Sequence, residues 1–428
     1  MSITAVGIQS ELPGCKSRIH AGTIEFRRSN RAMFLGGFST FSLLYCVQPL
    51  MPIFAKEFGL TAVQSSWSLS ISTAALAISL LIAAAISDSL GRKPLMCAAL
   101  LLSSAATVLC AFTQNYFQLL IIRGLLGVVL AGLPAVAMAY LSEEMEPTSL
   151  GYSMGLYISG SALGGMLGRV FASLLTDAVS WRFAIATIGV AGLLSGLEFW
   201  RSLPNSHHFR HSRFDAGTIA AGLRRHFSDQ GLPWLFLLAF LLMGCFVSLY
   251  NFMGFRLMGA PFALGQSAIA AIFSLYLTGI FGSVWVGKLG DKFGRRRVLW
   301  LVITVMLSGL LLTLVDSLVL ITIGIALFTF GFFGAHSIAS SWVGRRAKAP
   351  QALASALYLF FYYLGSSLVS SVAGIMWGRN GWNGVVFILA ACLLAALLIS
   401  LRLRTLSLVT ADASALPLPS TPHENPGG

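Results

Sequence analysis

Runs of about 20 mostly apolar residues recur along this chain, and a run of that length wound as a helix, at about 1.5 Å per residue, crosses a hydrocarbon core of roughly 30 Å. Twelve such runs, each bounded by charge or turn residues, are expected spans: Ala32 to Ala55, Ser66 to Ser87, Pro94 to Phe112, Phe117 to Leu141, Gly151 to Leu175, Arg182 to Trp200, Pro233 to Phe255, Ser267 to Gly287, Val298 to Val315, Leu318 to Ser341, Ala352 to Trp377 and Asn383 to Leu401. A helix satisfies its own backbone groups in lipid, so the fold class these runs dictate is an all-α membrane protein. Only 10% of the residues are charged, against roughly 25% in soluble domains, and a water-facing surface cannot be built from so few.

The net charge of +13 does not point to nucleic acid, because the basic residues sit in short clusters between the apolar runs. With both ends placed in the cytoplasm, 22 of the 28 lysines and arginines fall on the cytoplasmic side, while Lys56, Arg182, Arg256 and Arg379 fall outside. Positive residues favour the cytoplasmic face, so this split sets the orientation. It leaves Arg123 and Arg169 inside the membrane. Lys16, Arg18, Arg27, Arg28 and Arg31 precede a run too long for a signal peptide, with no small-residue cleavage site behind it, and read as a cytoplasmic leader.

The expected organisation is a leader over 1–31, a six-helix bundle over 32–201, a cytoplasmic linker over 202–232, a second six-helix bundle over 233–403 and a disordered tail over 404–428. The linker holds His207, His208 and His211 among Arg210, Arg213, Arg224 and Arg225, and reads as a basic segment facing anionic lipid rather than as a metal site. Four prolines in the tail fit disorder. The six cysteines show no CxxC pair, so neither a disulfide framework nor a metal cluster is expected.

After the second span comes Ser87-Asp88-Ser89-Leu90-Gly91-Arg92-Lys93, and after the eighth comes Gly287-Lys288-Leu289-Gly290-Asp291-Lys292-Phe293-Gly294-Arg295-Arg296-Arg297; the two aspartates are 203 residues apart. That spacing marks an internal repeat of six helices, an arrangement that places a solute site between two halves. Gly91 and Gly294 let the chain turn off a helix end, and the cations after them sit beside the negative end of a helix dipole. Glu143 and Glu144 are candidate partners for Arg92 or Lys93. In these loops the chain resembles the major facilitator superfamily, whose motif reads G-x-x-x-D-[RK]-x-G-[RK]-[RK]. The second copy follows it closely; the first has Ala84 for the glycine and Ser89 for the cation. The resemblance implies twelve helices in two pseudo-symmetric bundles, working as a monomer, with Asp88, Gly91, Arg92, Lys93, Gly287, Asp291, Lys292, Gly294, Arg295 and Arg296 forming a gate that closes the cytoplasmic side in one state. The alternative is that the loops only fix turns and topology.

Span five carries Gly151, Gly160, Gly164, Gly165 and Gly168, a spacing similar to the superfamily's antiporter motif G-x8-G-x3-G-P-x2-G-G, with Gly165 in place of the proline and Arg169 in place of the last glycine. Small residues at these intervals let another helix approach closely. The family places this stripe at the junction of the halves, and the local text resembles the YnfM-type branch of bacterial drug:proton antiporters; ordinary helix packing accounts for the pattern equally.

A charge inside a bilayer costs at least about 2.5–3.5 kcal/mol, so it faces a cavity or a partner. Arg123 and Arg169 lie at matched depth, roughly 10 Å below the outer surface at 1.5 Å per residue. Either they cradle an anion together, or one braces backbone carbonyls. None of the fifteen acidic residues falls in mid-span. His336, inside span ten, is then the candidate proton carrier or a packing hydrogen-bonder. Tyr45, Gln48, Tyr250, Asn251, Tyr276, Tyr358 and Tyr362 are candidate lining, although tyrosines also mark bilayer interfaces. Aromatic walls with few polar handles suit partly apolar ligands. Pro49, Pro52 and Pro134 are expected kinks.

No nucleophile with a base, no metal cluster and no P-loop is present, so the chain is expected not to be an enzyme, to use no cofactor and to spend no ATP. The expectation is a secondary transporter of the bacterial inner membrane, partnered by lipid, a small solute and protons, most simply an exporter of drug-like or metabolic compounds. A carrier for one metabolite, such as a sugar or an organic anion, is the alternative.

Overall fold

The computed structural model describes residues 18–206, 216–347 and 351–405, excepting the side chains of Ala84, Ala85, Asp88, Ala216, Thr218, Ile219, Gln351 and Ala352. The linker histidines His207, His208 and His211, most of the leader and tail, and the gate side chain of Asp88 lie outside the described residues.

The described chain is helical almost throughout: α1 (Ile24–Tyr45), a 3-10 turn (Gln48–Leu50), α2 (Met51–Glu57), α3 (Ala62–Leu90), α4 (Arg92–Cys110), α5 (Tyr116–Leu130), α6 (Ala137–Glu144), α7 (Pro147–Ala178), α8 (Trp181–Ser202), α9 (Ala216–Phe227), α10 (Leu232–Met258), α11 (Gln266–Phe273), α12 (Tyr276–Phe293), α13 (Arg295–Leu312), α14 (Leu318–Arg346) and α15 (Gln351–Thr405). Nine segments among the described residues are long and apolar enough to cross a membrane. One of these, Leu353–Thr405, is bent back on itself at Asn380 and Gly381, where the backbone leaves helical values. The α5 segment is apolar but shorter, because span four is broken.

The breaks follow from local chemistry. Pro49 has no N–H for the carbonyl of Tyr45, so span one stops there and restarts as α2. Pro134 does the same in span four, where residues 131–136 form turns between α5 and α6 instead of the single kinked helix expected. The interruption of span eight at Ser274 and Leu275 carries no proline and was not expected. Span one also starts earlier than residue 32: Thr23 accepts a hydrogen bond from the Phe26 N–H at 3.2 Å and caps α1 at Ile24. Arg27, Arg28 and Arg31 therefore stand on the first turns of a helix, from which long cationic side chains reach the interface. The basic linker likewise contains a helix, α9.

The halves repeat one packing scheme. In the first, α1 packs on α7, α4 on α8 and α3 on α5; in the second, α10 packs on the first part of α15, α13 on its second part and α12 on α14. Both motif glycines adopt nearly the same left-handed turn, Gly91 at φ +92 and Gly294 at φ +90, each capping one helix and starting the next. Three glycines of span five pack α7 onto α1: a Cβ on Gly160 would stand 2.3 Å from the Phe34 carbonyl oxygen, one on Gly164 only 1.9 Å from that of Phe38, and one on Gly168 2.6 Å from the Ser42 Cα. These three therefore face α1 and not the junction, whereas a Cβ on Gly151 meets nothing within 4 Å and one on Gly165 meets the Arg169 side chain. Ile78, Leu102, Phe117, Leu194, Phe281 and Phe387 are exposed on the outside, as a lipid-facing belt requires.

The halves touch each other through α3 with α15 and α7 with α11. Among the described residues, bonds that cross lie at the ends away from the motif loops: Gln266 Nε2 donates to the Pro49 carbonyl at 2.8 Å, Gln48 Nε2 to Asn251 Oδ1 at 2.6 Å, and the Ser267 hydroxyl to Asp177. Beside the motif loops, two sets of pairs lie within a half. Arg92 binds Glu143 bidentately at 2.7 and 3.1 Å, and Asp291 pairs with Arg295 at 2.7 Å and with Arg345 at 3.5 Å. Phe34, Phe38 and Phe41, at helical spacing on α1, have half-buried side chains.

Candidate functional site

The break in span one supplies the site's frame. Where α1 stops, its last carbonyls have no following N–H, and the fully buried Arg123 on α5 donates to two of them: Nη1 to Leu43 at 3.0 Å and Nη2 to Leu44 at 2.6 Å. Its Nε donates to the Ser68 carbonyl on α3 at 3.0 Å. A cation at the negative end of a helix is favourably placed, and this one ties α1, α3 and α5 together. Arg123 thus has the geometry of a brace.

Arg169, on α7, is also buried, at 2% exposure, but its surroundings differ. Nε donates to Gln48 Oε1 and Nη1 to the Gly165 carbonyl. The guanidinium carbon lies 4.1 Å from the ring centre of Tyr45, 4.7 Å from that of Tyr276 and 5.7 Å from that of Phe273. Tyr45 belongs to the first half, Tyr276 and Phe273 to the second, so the cation is enclosed by both. Among the described residues it has no carboxylate partner, and the hydroxyls of Tyr45 and Tyr276 are buried without a hydrogen-bond partner. The two arginines bind different groups, which corrects the expectation of a shared cradle.

A polar thread crosses the junction from this point. Gln48, held by Arg169, donates to Asn251, which donates through Nδ2 to the Ser370 hydroxyl at 2.7 Å. Tyr250 is anchored separately, its hydroxyl 2.8 Å from that of Thr329. His336 sits apart, near the middle of α14, with Nδ1 2.9 Å from the Tyr358 hydroxyl and its ring 4.8 Å from Tyr362. Stacked aromatics join the two places: Phe246 lies 5.3 Å from Tyr276 and 3.8 Å from Phe332, which stacks on His336 at 6.0 Å.

The structure therefore brings Tyr45, Gln48, Tyr250, Asn251 and Tyr276 around Arg169, sets His336, Tyr358 and Tyr362 in a second group, and leaves the described motif residues at helix ends away from both. Phe246, Phe273 and Phe332 complete the wall without having been singled out. In a chain with 30 phenylalanines nothing in sequence marks these three.

Comparison with known proteins bears on what this arrangement does. The profile of the Major Facilitator Superfamily matches residues 33–276. The inner membrane transport protein YnfM of Escherichia coli is 49% identical over 385 residues, 90% of this chain and 92% of that protein. The MFS-type transporter YybF of Bacillus subtilis is 44% identical over 382 residues, 89% of this chain and 95% of that protein. Among solved structures, a bacterial homolog of the human lysosomal transporter Spinster, in an inward-facing and occupied conformation, superposes with a TM-score of 0.69 at 18% identity, covering 90% of this chain and 96% of that one. The nucleoside transporter NupG superposes with a TM-score of 0.71 at 15% identity, covering 89% and 99%.

Proposed function

Since this chain belongs to the major facilitator superfamily, and is accordingly a multi-pass secondary transporter of the bacterial inner membrane that works by alternating access, we propose that it exports partly apolar organic compounds in exchange for protons. The observation that carries the proton part is His336. Among the described residues no carboxylate lies in the middle of a span, whereas this imidazole lies inside span ten, hydrogen-bonded to Tyr358 and continuous through Phe332 and Phe246 with the Arg169 group. The aromatic wall supplies contact without fixed polar matching, which suits solutes of varied shape.

In this reading the chain makes twelve crossings in two six-helix bundles, over 32–201 and 233–403, with both termini in the cytoplasm and the monomer as the working unit. Bonds between the halves at the ends away from the motif loops support, in this reading, a state open toward the cytoplasm, where an exporter loads. The motif pairs of Asp291 and Arg92 within their own halves are then the released form of a gate that reforms across the gap when that side closes. Partly exposed pairs contribute about 0–1 kcal/mol each, weak enough to exchange partners in every cycle. A second reading, a carrier for one metabolite, is favoured by the ordered thread from Arg169 through Gln48 and Asn251 to Ser370, which offers fixed polar contacts.

Purified protein in liposomes with an internal pH dye, under an imposed proton gradient, tests the exporter. Solute-triggered proton movement in the wild type that is lost in His336→Gln, with the variant folded and still binding solute, is expected. Proton movement of equal size in His336→Gln refutes the assignment of this residue, and solute flux without any proton movement refutes exchange.

A further inference from the structure

We infer that Arg169, with the hydroxyls of Tyr45 and Tyr276, is the binding point for the negatively charged head of the solute, so that the transported class is amphipathic organic monoanions, above all carboxylates with an aromatic or aliphatic body. This rests on the reading of the gap between the halves as the solute path.

The first ground is charge balance. A guanidinium this deeply buried pairs with other charges or with backbone carbonyls; Arg123 has three carbonyls, whereas Arg169, among the described residues, has a side-chain amide, one backbone carbonyl and three aromatic rings. Ring faces stabilise a cation by about 0.5–2 kcal/mol each, which holds the charge in place without neutralising it. The second ground is donor count. Of the five guanidinium N–H groups, Nε–H and one on Nη1 are engaged by the described residues, which leaves both N–H groups of Nη2 and one of Nη1 in the end-on arrangement that a carboxylate accepts bidentately. The third is the pair of phenols. Tyr45 and Tyr276 are 4% and 5% exposed, pack on the same guanidinium, and keep hydroxyls with no partner among the described residues. Buried hydroxyls are almost always paired; two unpaired donors beside an unneutralised cation describe an acceptor site.

The wall decides the rest of the ligand. From Arg169 the rings continue through Tyr276, Phe246 and Phe332 to Tyr362 on one side and through Tyr45 to Phe41 on α1 on the other. An apolar body therefore lies against rings with its head at Arg169. The direction of transport is consistent with that charge: a potential negative inside drives an anion outward at about 2.3 kcal/mol per charge per 100 mV, so export of a monoanion against an entering proton draws on the potential twice.

The test is binding to purified protein in nanodiscs, which needs no transport. Three pairs serve as probes, each a carboxylate and its neutral amide: 2-naphthoate and 2-naphthamide, indole-3-acetate and indole-3-acetamide, decanoate and decanamide. At least one carboxylate is expected to bind tenfold or more tighter than its amide. Arg169→Gln should reduce that ratio to within twofold of one, and Arg169→Lys should keep part of it. Because Arg169→Gln also loosens the junction, Tyr45→Phe and Tyr276→Phe provide the check on folded protein: each removes one donor and should weaken the carboxylate about threefold to tenfold while leaving the amide unchanged. Equal binding of acid and amide by the wild type, or no binding of any carboxylate, overturns the inference. Carboxylate binding without proton-linked flux in liposomes overturns the exporter reading and leaves this one standing; proton-linked flux of neutral or cationic solutes alone does the reverse.

Discussion

Replacing Arg123 by methionine removes a cation of similar length while keeping an apolar body in the core, and the structure allows the cost to be worked out. Three hydrogen bonds disappear, to the carbonyls of Leu43, Leu44 and Ser68. Interhelical hydrogen bonds within membranes contribute about 0.6 kcal/mol on average and up to about 1.7, so three account for about 2–5 kcal/mol. Counting instead the two carbonyls at the open end of α1, each left buried and short of a donor at about 1–3 kcal/mol, gives about 2–6 for the same loss. Removing the charge returns part of its desolvation cost, which places the net effect near the lower end, about 2–3 kcal/mol. Melting of the purified protein in detergent is expected to fall in the order Arg123, Arg123→Lys, Arg123→Met, since a lysine reaches one carbonyl and not three. Solute binding by the fraction that remains folded should be nearly unchanged. An Arg123→Met protein that melts with the wild type but binds solute more than tenfold more weakly would refute the brace and return Arg123 to the solute path.

Two further outcomes follow from packing and charge. Gly164→Ala places a Cβ 1.9 Å from the backbone oxygen of Phe38 and must push α1 from α7, at about 1–3 kcal/mol or more, whereas Gly155→Ala meets nothing within 4 Å and should be neutral or slightly stabilising; equal melting of the two variants would contradict the packing described. At the cytoplasmic end, burial works against the Asp229 carboxylate, but the hydrogen bond from Arg346 at 2.5 Å and those from the N–H groups of Gly231 and Leu232 outweigh it and hold its pKa below the ordinary aspartate value. A depressed carboxylate stabilises the fold above its unfolded value of about 3.9 and loses that contribution as pH falls through the lower folded value. Asp229→Asn should therefore melt below the wild type at pH 7, by on the order of 1–2 kcal/mol, and the gap should narrow steadily as pH falls below about 4; a gap of the same size at pH 7 and pH 3 would show that the pair is not its source.

The chain's own order already carried the membrane class and the repeat of two motif loops, because each depends on properties local to a segment. An apolar run is long enough to span lipid or it is not, and the turns at Gly91 and Gly294 need only a residue tolerant of positive φ. Prolines 49 and 134 likewise announced interruptions, although whether a proline bends a helix or ends it depends on what satisfies the carbonyls near the break, and at the end of α1 those of Leu43 and Leu44 meet Arg123, about 80 residues away. Segment-level reading failed where the answer was a partner. Arg123 and Arg169 look alike in sequence, two cations at one depth, yet one meets three carbonyls and the other a cage of rings drawn from both halves. Three glycines of span five face α1 because the backbone of that helix lies beside them, which no spacing within span five specifies. Composition and periodicity determined that this is an all-α protein of a bilayer. Only the tertiary arrangement decided which buried cation meets carbonyls and which meets aromatic rings, since the free energy of a buried cation is set by the groups that other helices bring to it.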